Sequence, residues 1–126
     1  MIQFLIDTNV VIWLSEDKPR VNSIKSLLLS EKTQVFISSV SWWEIAIKIR
    51  AGKLPLNLDQ LRTQAANNNY LELPITGEYM KAYLELPKLH NDPFDHMLLA
   101  QAITCPMRLI TGDSQLAEYS SLVMVV

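Results

Sequence analysis

The chain has 126 residues, of which 49% are hydrophobic and 19% are charged. This length suits one domain over residues 1–126 with its own hydrophobic core, and the composition excludes an intrinsically disordered chain. The apolar runs are far shorter than the roughly 20 residues that span a bilayer, and residues 1–6 lack the basic start and cleavage site of a signal peptide. We therefore expect a cytoplasmic protein with no membrane segment.

The formal net charge is −2, from 11 basic and 13 acidic residues, but the charges are unevenly distributed. Residues 18–62 carry eight basic and three acidic side chains, whereas residues 63–126 carry three basic and seven acidic ones. A weakly acidic chain can thus present a basic surface beside an acidic one, although solvated helix faces would give the same pattern.

Short runs of β-forming residues alternate with helical patterns along the chain. In chain order they are a strand at 2–6, helices at 8–14 and 21–30, a strand at 35–37, a helix from 41 that ends at Gly52, a helix at 58–68, a strand at 70–73, helices at 77–84 and 94–104, a strand at 108–110, a helical turn at 114–118 and a strand at 122–126. This alternation predicts an α/β domain with a largely parallel sheet. Cys105, the single cysteine, continues an apolar helical pattern and is expected to be buried.

Four acidic residues come together at one edge of the predicted sheet. Asp7 ends the first strand, Asp113 follows the fourth, and Glu44 and Asp95 lie near the starts of two helices. In parallel sheets, ligands bind beyond the carboxyl ends of the strands, so these side chains are expected to face one crevice. Carboxylates without a His or Cys cluster favour Mg²⁺ or Mn²⁺ over zinc. Such ions activate water and stabilise the oxygens of a phosphodiester during its hydrolysis.

Most of these acidic residues also have an ordinary structural explanation. Residues 41–44 match a capping box, residues 92–95, which include Asp95, match a helix cap with proline at the first helical position, and Asp113 suits the cap of the following turn. Glu44 lies one turn before Lys48 and can pair with it. Asp7 fits such explanations least, because a carboxylate at the end of a buried strand is costly unless it is paired or bound to a cation.

Basic and aromatic residues lie on the same predicted helix as Glu44 or just after it. Lys48, Arg50 and Lys53 would attract the phosphate backbone of a nucleic acid. Trp42 belongs to the apolar stripe of this helix and is expected in the core. Trp43 lies off that stripe and is either a dimer contact or a platform on which a base stacks.

At these residues the sequence resembles the PIN-domain ribonucleases, in particular the VapC-like toxins of bacterial toxin–antitoxin pairs. The resemblance implies a three-layer domain whose central parallel sheet has about five strands in the order 3-2-1-4-5. It also implies Mg²⁺- or Mn²⁺-dependent hydrolysis of RNA, an antitoxin that inserts a segment near the site, and a homodimer. The matching segments, in the expected order over essentially the whole chain, are 6–9, 41–48, 52–54, 90–95, 100–102 and 109–113.

The resemblance assigns roles to individual residues of this chain. The metal-binding and catalytic carboxylates would be Asp7, Glu44, Asp95 and Asp113, and the side chains that orient them would be Asn9 and Thr111. His96 is a departure, because close relatives often have arginine at its position. Neither His96 nor His90 is expected to bind metal, since the two lie six residues apart on either side of a helix start, and both are expected in surface or loop positions.

Three other functions fit parts of the sequence. A receiver domain also gathers acids at strand ends, but it needs a lysine after a later strand, and residues 109–113 contain none. A haloacid-dehalogenase-like phosphatase needs a second aspartate where Asn9 stands. The serious alternative is a catalytically silent PIN-like module that binds RNA or a protein partner. Four mutually repelling carboxylates argue against that alternative, because a silent module has no use for them.

Overall fold

The computed structural model of the chain describes residues 1–88 and 91–126, so the predicted loop position of His90 lies outside the described residues. Its strands are β1 (Ile2–Ile6), β2 (Thr33–Ser38), β3 (Leu71–Leu73), β4 (Arg108–Thr111) and β5 (Val123–Val125). Its helices are α1 (Thr8–Ser15), α2 (Asn22–Leu29), α3 (Ser39–Arg50), α4 (Leu58–Asn67), α5 (Met80–Glu85) and α6 (Pro93–Thr104). Short 3₁₀ helices cover Pro19–Val21, Gly77–Tyr79 and Ser114–Glu118.

The five strands form one parallel sheet in the order β3-β2-β1-β4-β5. Ile6, at the end of β1, is in register with Ile37 of β2 and Ile110 of β4. The strand order reverses at β1, which has β2 on one side and β4 on the other. The residues that follow β1 and β4 therefore meet at the carboxyl edge of the sheet, and the predicted fold class and strand order are confirmed.

Two hydrophobic clusters cover the two faces of the sheet. Phe4 and Ile6 of β1 pack in the first cluster with Ile24 of α2, while Leu5 packs in the second cluster with Leu98 of α6. Successive strand residues point to opposite faces, so burial of all three confirms that β1 is covered on both sides. This burial explains why a run of apolar residues precedes Asp7.

Helix α3 starts earlier than its sequence pattern predicts. Ser38 ends β2 and also caps α3, because its hydroxyl accepts a hydrogen bond from the Val40 N–H at 3.1 Å. The predicted capping box at Ser41 is therefore wrong: Ser41 lies inside the helix and is fully buried. The β2–α3 connection has no loop, which brings the first turns of α3 to the carboxyl edge of the sheet.

The expectation that Cys105 is buried is also wrong. Helix α6 ends at Thr104, and Cys105 is exposed at its end, with its sulfur 3.8 Å from the hydroxyl of Tyr79. The apolar pattern of the sequence continues beyond the last residue of the helix. Helical periodicity therefore predicts a buried side chain at Cys105, although the helix has already ended there. Within residues 1–88 and 91–126 we find no helix that is both long and apolar enough to cross a membrane.

Candidate functional site

Asp7 is a buried carboxylate at the end of β1, with a relative exposure of 3%. It caps α1, because its Oδ1 accepts a hydrogen bond from the Val10 N–H at 2.9 Å, and its Oδ2 accepts one from the Thr111 hydroxyl. Burial raises the pKa of Asp7, while the hydrogen bonds from Thr111, Val10 and Gly112 oppose this shift. The charge of Glu44 raises the pKa further. Capping accounts for one Asp7 oxygen but supplies no positive charge to offset the burial of the carboxylate.

Asp95 lies in the first turn of α6, within electrostatic reach of Asp7 and Glu44. The helix is capped by Asp92, whose Oδ1 accepts hydrogen bonds from the N–H groups of Phe94 and Asp95 at 3.0 and 3.3 Å, as the sequence predicts. Burial and the negative charges of Asp92, Asp7 and Glu44 raise the pKa of Asp95 to about 8. The carboxylates of Asp7, Glu44 and Asp95 are thus close enough for their charges to act on one another.

Glu44 lies in α3, where it forms an ion pair one turn along the helix. The Nζ atom of Lys48 is 3.1 Å from Oε2 of Glu44. The Glu44 side chain is 12% exposed, whereas that of Lys48 is 38% exposed. The pairing that the sequence permits is therefore confirmed, and it places an ammonium group directly on one of the predicted metal ligands.

Asp113 follows β4 and caps the 3₁₀ helix Ser114–Glu118, as its position in the sequence suggests. Its Oδ1 accepts a hydrogen bond from the Gln115 N–H at 2.9 Å, and its own N–H donates to the Thr111 hydroxyl oxygen at 3.1 Å. Since the same hydroxyl donates to Asp7, Thr111 connects the two aspartates. Asn9 is exposed, and no hydrogen bond joins its side chain to a carboxylate within residues 1–88 and 91–126. Its supporting role remains a prediction.

Two hydroxyl side chains, whose contact no motif in the sequence indicates, connect α1 to α3. Thr8 donates a hydrogen bond from Oγ1 to Oγ of Ser41 at 3.0 Å, and both residues are buried. Thr8 directly follows Asp7, and Ser41 lies three residues before Glu44. This bond therefore links the backbone that carries Asp7 to the helix that carries Glu44. The signal in the sequence was a hydroxyl residue close to each acid.

The turn between Thr111 and Asp113 is held by residues from the amino-terminal part of the chain. Arg20 donates a hydrogen bond from Nη2 to the carbonyl oxygen of Gly112 at 2.6 Å. The Arg20 guanidinium also lies over the ring of Trp13, 4.4 Å from its centroid. The Trp13 ring fills the space that a side chain at position 112 would need, so only glycine fits there. Trp13 and Arg20 thus fix the turn that carries Asp113.

His96 is buried, and the expectation of a surface or loop position for it is wrong. Its Nε2 lies 3.0 Å from the hydroxyl of Tyr119, and its ring lies 6.1 Å from that of Tyr83. His96 is buried because α5 and the segment after β4 both pack beside α6. This packing depends on contacts that are distant in sequence.

The two neighbouring tryptophans of α3 differ in their surroundings. Trp42 packs against the hydrophobic core, as its place in the apolar stripe predicts. Trp43 is 60% exposed and makes an edge-to-face contact with Phe94, with 5.4 Å between the ring centroids. An aromatic pair therefore precedes Glu44 on one helix and Asp95 on the other. Arg50 and Lys53 are exposed at the carboxyl end of α3.

The carboxylates suit a hard divalent cation, although they are not gathered around one point. Within residues 1–88 and 91–126, no three carboxylate, histidine or thiol groups lie close enough together to form a ready metal site. Lys48 is paired with Glu44, and Asp113 is engaged as a cap. However, the donors are all oxygens, and a divalent ion would offset both the burial of Asp7 and the repulsion that raises the pKa of Asp95. The residues therefore fit Mg²⁺ or Mn²⁺.

In a comparison against protein families, residues 4–122 match the model of the PIN domain. The chain belongs to the PIN domain family. This PIN domain is 25% identical over 121 residues to Ribonuclease VapC22 of Mycobacterium tuberculosis, covering 94% of this chain and 93% of that protein. The family resemblance noted from the sequence is thereby confirmed.

Solved structures with the same fold as this PIN domain include a VapBC2 structure and a toxin–antitoxin complex. VapBC2 from Rickettsia felis, bound to a DNA fragment from its promoter, superposes with a TM-score of 0.76 at 16% identity and covers 99% of both chains. A toxin–antitoxin complex from Klebsiella pneumoniae gives a TM-score of 0.69 at 20% identity and covers 96% of this chain and 95% of that chain. At these identities the similarity is one of fold.

Proposed function

We propose that this PIN domain is a Mg²⁺- or Mn²⁺-dependent endoribonuclease that acts as the toxin of a toxin–antitoxin pair. The observation that carries the proposal is the buried carboxylate of Asp7, placed at the reversal of strand order within electrostatic reach of Glu44 and Asp95. Membership of the family and the relative named Ribonuclease VapC22 support the assignment of RNA as the substrate.

In this proposal the four carboxylates hold the metal in unequal roles. Asp7 and Asp95 would hold the principal ion, and Glu44 and Asp113 would complete or bridge the site. A bound divalent ion lowers the pKa of water and stabilises charge on the attacking and leaving oxygens of a phosphodiester. The Asp7 carboxylate keeps acceptor capacity for a cation, because its two oxygens offer about four acceptor sites and accept three hydrogen bonds, from Val10, Thr111 and Gly112.

The surrounding residues orient these carboxylates and attract the substrate. Thr111 fixes the rotation of the Asp7 carboxylate and holds the Asp113 backbone. Asn9, which is exposed, would help to orient the carboxylates from the solvent side of the site. Asp92 fixes the first turn of α6, from which Asp95 projects. The positive charges of α3 and of the segment that follows it, on Lys48, Arg50 and Lys53, would attract the phosphate backbone of RNA.

We also propose partners for this chain. The two solved complexes described above support a cognate antitoxin as a protein partner. In line with the family resemblance, the antitoxin would insert a segment near the carboxylates, and the toxin would form a homodimer. Such an enzyme would act in the cytoplasm, where its RNA substrate is.

A cleavage assay tests this function. Purified protein is incubated with structured RNAs in Mn²⁺, in Mg²⁺ and in EDTA, beside the variants Asp7→Asn and Asp95→Asn. Asp59→Asn is a matched control, because Asp59 is an exposed aspartate on α4. We expect cleavage only with metal, a loss of at least about 100-fold in both site variants, and normal cleavage by the control. Equal cleavage by wild type and the site variants, or cleavage unaffected by EDTA, would refute the mechanism.

Expression in a bacterial host tests the role as a toxin. We expect the wild-type chain alone to arrest growth and Asp7→Asn to relieve the arrest at the same protein level. Normal growth at high wild-type expression, together with RNA binding but no cleavage in vitro, would instead identify a silent binding module.

A further inference from the structure

One carboxylate of the proposed metal site already has a positive charge beside it. Among residues 1–88 and 91–126, Lys48 is the one basic residue in an ion pair with any of the four proposed ligands, Asp7, Glu44, Asp95 and Asp113. Its ammonium nitrogen is 3.1 Å from Oε2 of Glu44, whose side chain is almost buried. One oxygen of a predicted metal ligand is therefore occupied by the protein itself.

The two partners of this ion pair differ in their freedom to move. Glu44 has little access to solvent, whereas the Lys48 side chain is 38% exposed and has a flexible four-carbon stem. Lys48 can therefore leave Glu44 for water without crossing the protein interior. Leaving would also place its charge on the same end of α3 as the exposed Arg50 and near Lys53.

We propose that Lys48 occupies a cation position at Glu44 in the metal-free protein, and that a divalent ion displaces its ammonium group toward a phosphate of the RNA. The inference rests on the proposed function and adds a form of regulation to its site. Metal binding and phosphate binding are then linked, because the same event frees a ligand oxygen for the ion and a positive charge for the substrate. By linkage, RNA also strengthens binding of the ion.

The strength of the ion pair sets the size of the effect on metal binding. A partly exposed Glu–Lys pair at i,i+4 contributes little free energy. A divalent ion that binds Glu44 must nevertheless break this pair, and the nearby ammonium group also repels the ion. Removal of the ammonium should therefore tighten Mn²⁺ binding about 5-fold. An equal change of charge elsewhere on the helix should have a much smaller effect, because solvent screens it.

The first experiment measures Mn²⁺ binding without RNA, by calorimetry and by the paramagnetic resonance signal of free Mn²⁺. It compares wild type, Lys48→Gln, Lys48→Arg and Arg50→Gln, each checked by thermal unfolding. We expect Lys48→Gln to bind Mn²⁺ about 5-fold more tightly, and Lys48→Arg, which keeps the charge, and Arg50→Gln to stay within about 2-fold of wild type. Equal affinities of Lys48→Gln and Arg50→Gln would overturn the proposal.

The second experiment measures binding of a nuclease-resistant phosphorothioate RNA by fluorescence anisotropy at several salt concentrations. In EDTA, Lys48→Gln and wild type should have the same salt dependence, because Glu44 holds the lysine. In Mn²⁺, the slope of log K against log salt should be smaller in magnitude by about 0.7 for Lys48→Gln, which is the value for one phosphate contact on a single strand. Equal slopes in Mn²⁺ would overturn the proposed transfer of Lys48 to phosphate.

The outcomes separate this inference from the proposed function. Tighter Mn²⁺ binding by Lys48→Gln in a protein that cleaves no RNA would support competition between Lys48 and the ion for Glu44, and it would refute the nuclease. RNA cleavage by wild type, together with an unchanged Mn²⁺ affinity in Lys48→Gln, would support the nuclease and refute the competition. Absence of Mn²⁺ binding by wild type would refute the competition, and absence of cleavage in both Mn²⁺ and Mg²⁺ would refute the nuclease.

Discussion

Replacement of Asp95 by asparagine should stabilise the metal-free protein. Burial and the charges of Asp92, Asp7 and Glu44 raise the pKa of Asp95 from 3.8 to about 8. When folding raises the pKa of an acid, ionisation of that acid costs more free energy in the native state than in the unfolded chain. The native state therefore loses stability as pH rises from about 4 to about 8. Asparagine has a similar shape, stays neutral throughout, and can keep the side-chain hydrogen bond that Asp95 makes with Asp92.

The size of the effect follows from the shift in pKa. Each pKa unit corresponds to about 1.36 kcal/mol, so at pH 7 the loss in free energy of unfolding is at most roughly 4 kcal/mol. Water screens part of this interaction because Asp95 is only partly buried, and we expect about 1–2 kcal/mol. For a domain of this size, each kcal/mol raises Tm by about 3–5 °C.

The assay is thermal and urea unfolding of wild type and Asp95→Asn in EDTA at pH 5 and pH 8. Glu118→Gln is the control, since Glu118 is an exposed acid. We expect a clear stabilisation at pH 8, a smaller one at pH 5, and no such trend in the control. Saturating Mn²⁺ should reverse the order, because the ion stabilises the native state that binds it better. An Asp95→Asn variant no more stable than wild type at pH 8 would show that the carboxylates do not repel one another.

Two further variants test the packing around the site. Gly112→Ala should destabilise the protein by about 1–3 kcal/mol in urea unfolding, because a Cβ at position 112 overlaps the Trp13 ring. Gly77→Ala is the control and should change stability far less, because no atom lies within 4 Å of a Cβ at position 77. Equal effects of the two substitutions would contradict the tight packing at Gly112. Thr8→Val should cost about 1–3 kcal/mol by leaving the buried hydroxyl of Ser41 without its partner, and adding Ser41→Ala should recover part of this loss. Strictly additive effects of the two substitutions would mean that this hydrogen bond contributes nothing.

Much of the fold could be predicted because local patterns and global packing agree in this chain. The apolar run before Asp7 predicts a strand covered on both faces, and both faces of β1 are packed. The predicted strands and helices all occur, with bounds that differ by a few residues. The strand order itself came from the family resemblance, since periodicity does not say which strands are neighbours.

Three predictions were wrong because a local pattern contains no information about tertiary contacts. Ser41 fits a capping box, but Ser38 ends a strand and begins a helix at once, so it takes the cap and leaves Ser41 to pair with Thr8. His96 has a polar side chain near a helix start, but α5 and Tyr119 pack beside it. Cys105 continues an apolar pattern beyond the end of its helix.

The sequence by itself determined that the protein is an α/β domain and that Asp7, Glu44, Asp95 and Asp113 belong at one edge of its sheet. These properties follow from the spacing of apolar residues and from the order of strands and helices along the chain, and the sequence shows both directly. Only the tertiary structure decided what each acid contacts: Thr111 on Asp7, Lys48 on Glu44, and the charge of neighbouring carboxylates on Asp95. Such contacts depend on burial and distances of a few ångströms between segments far apart in the chain, and no local pattern encodes them.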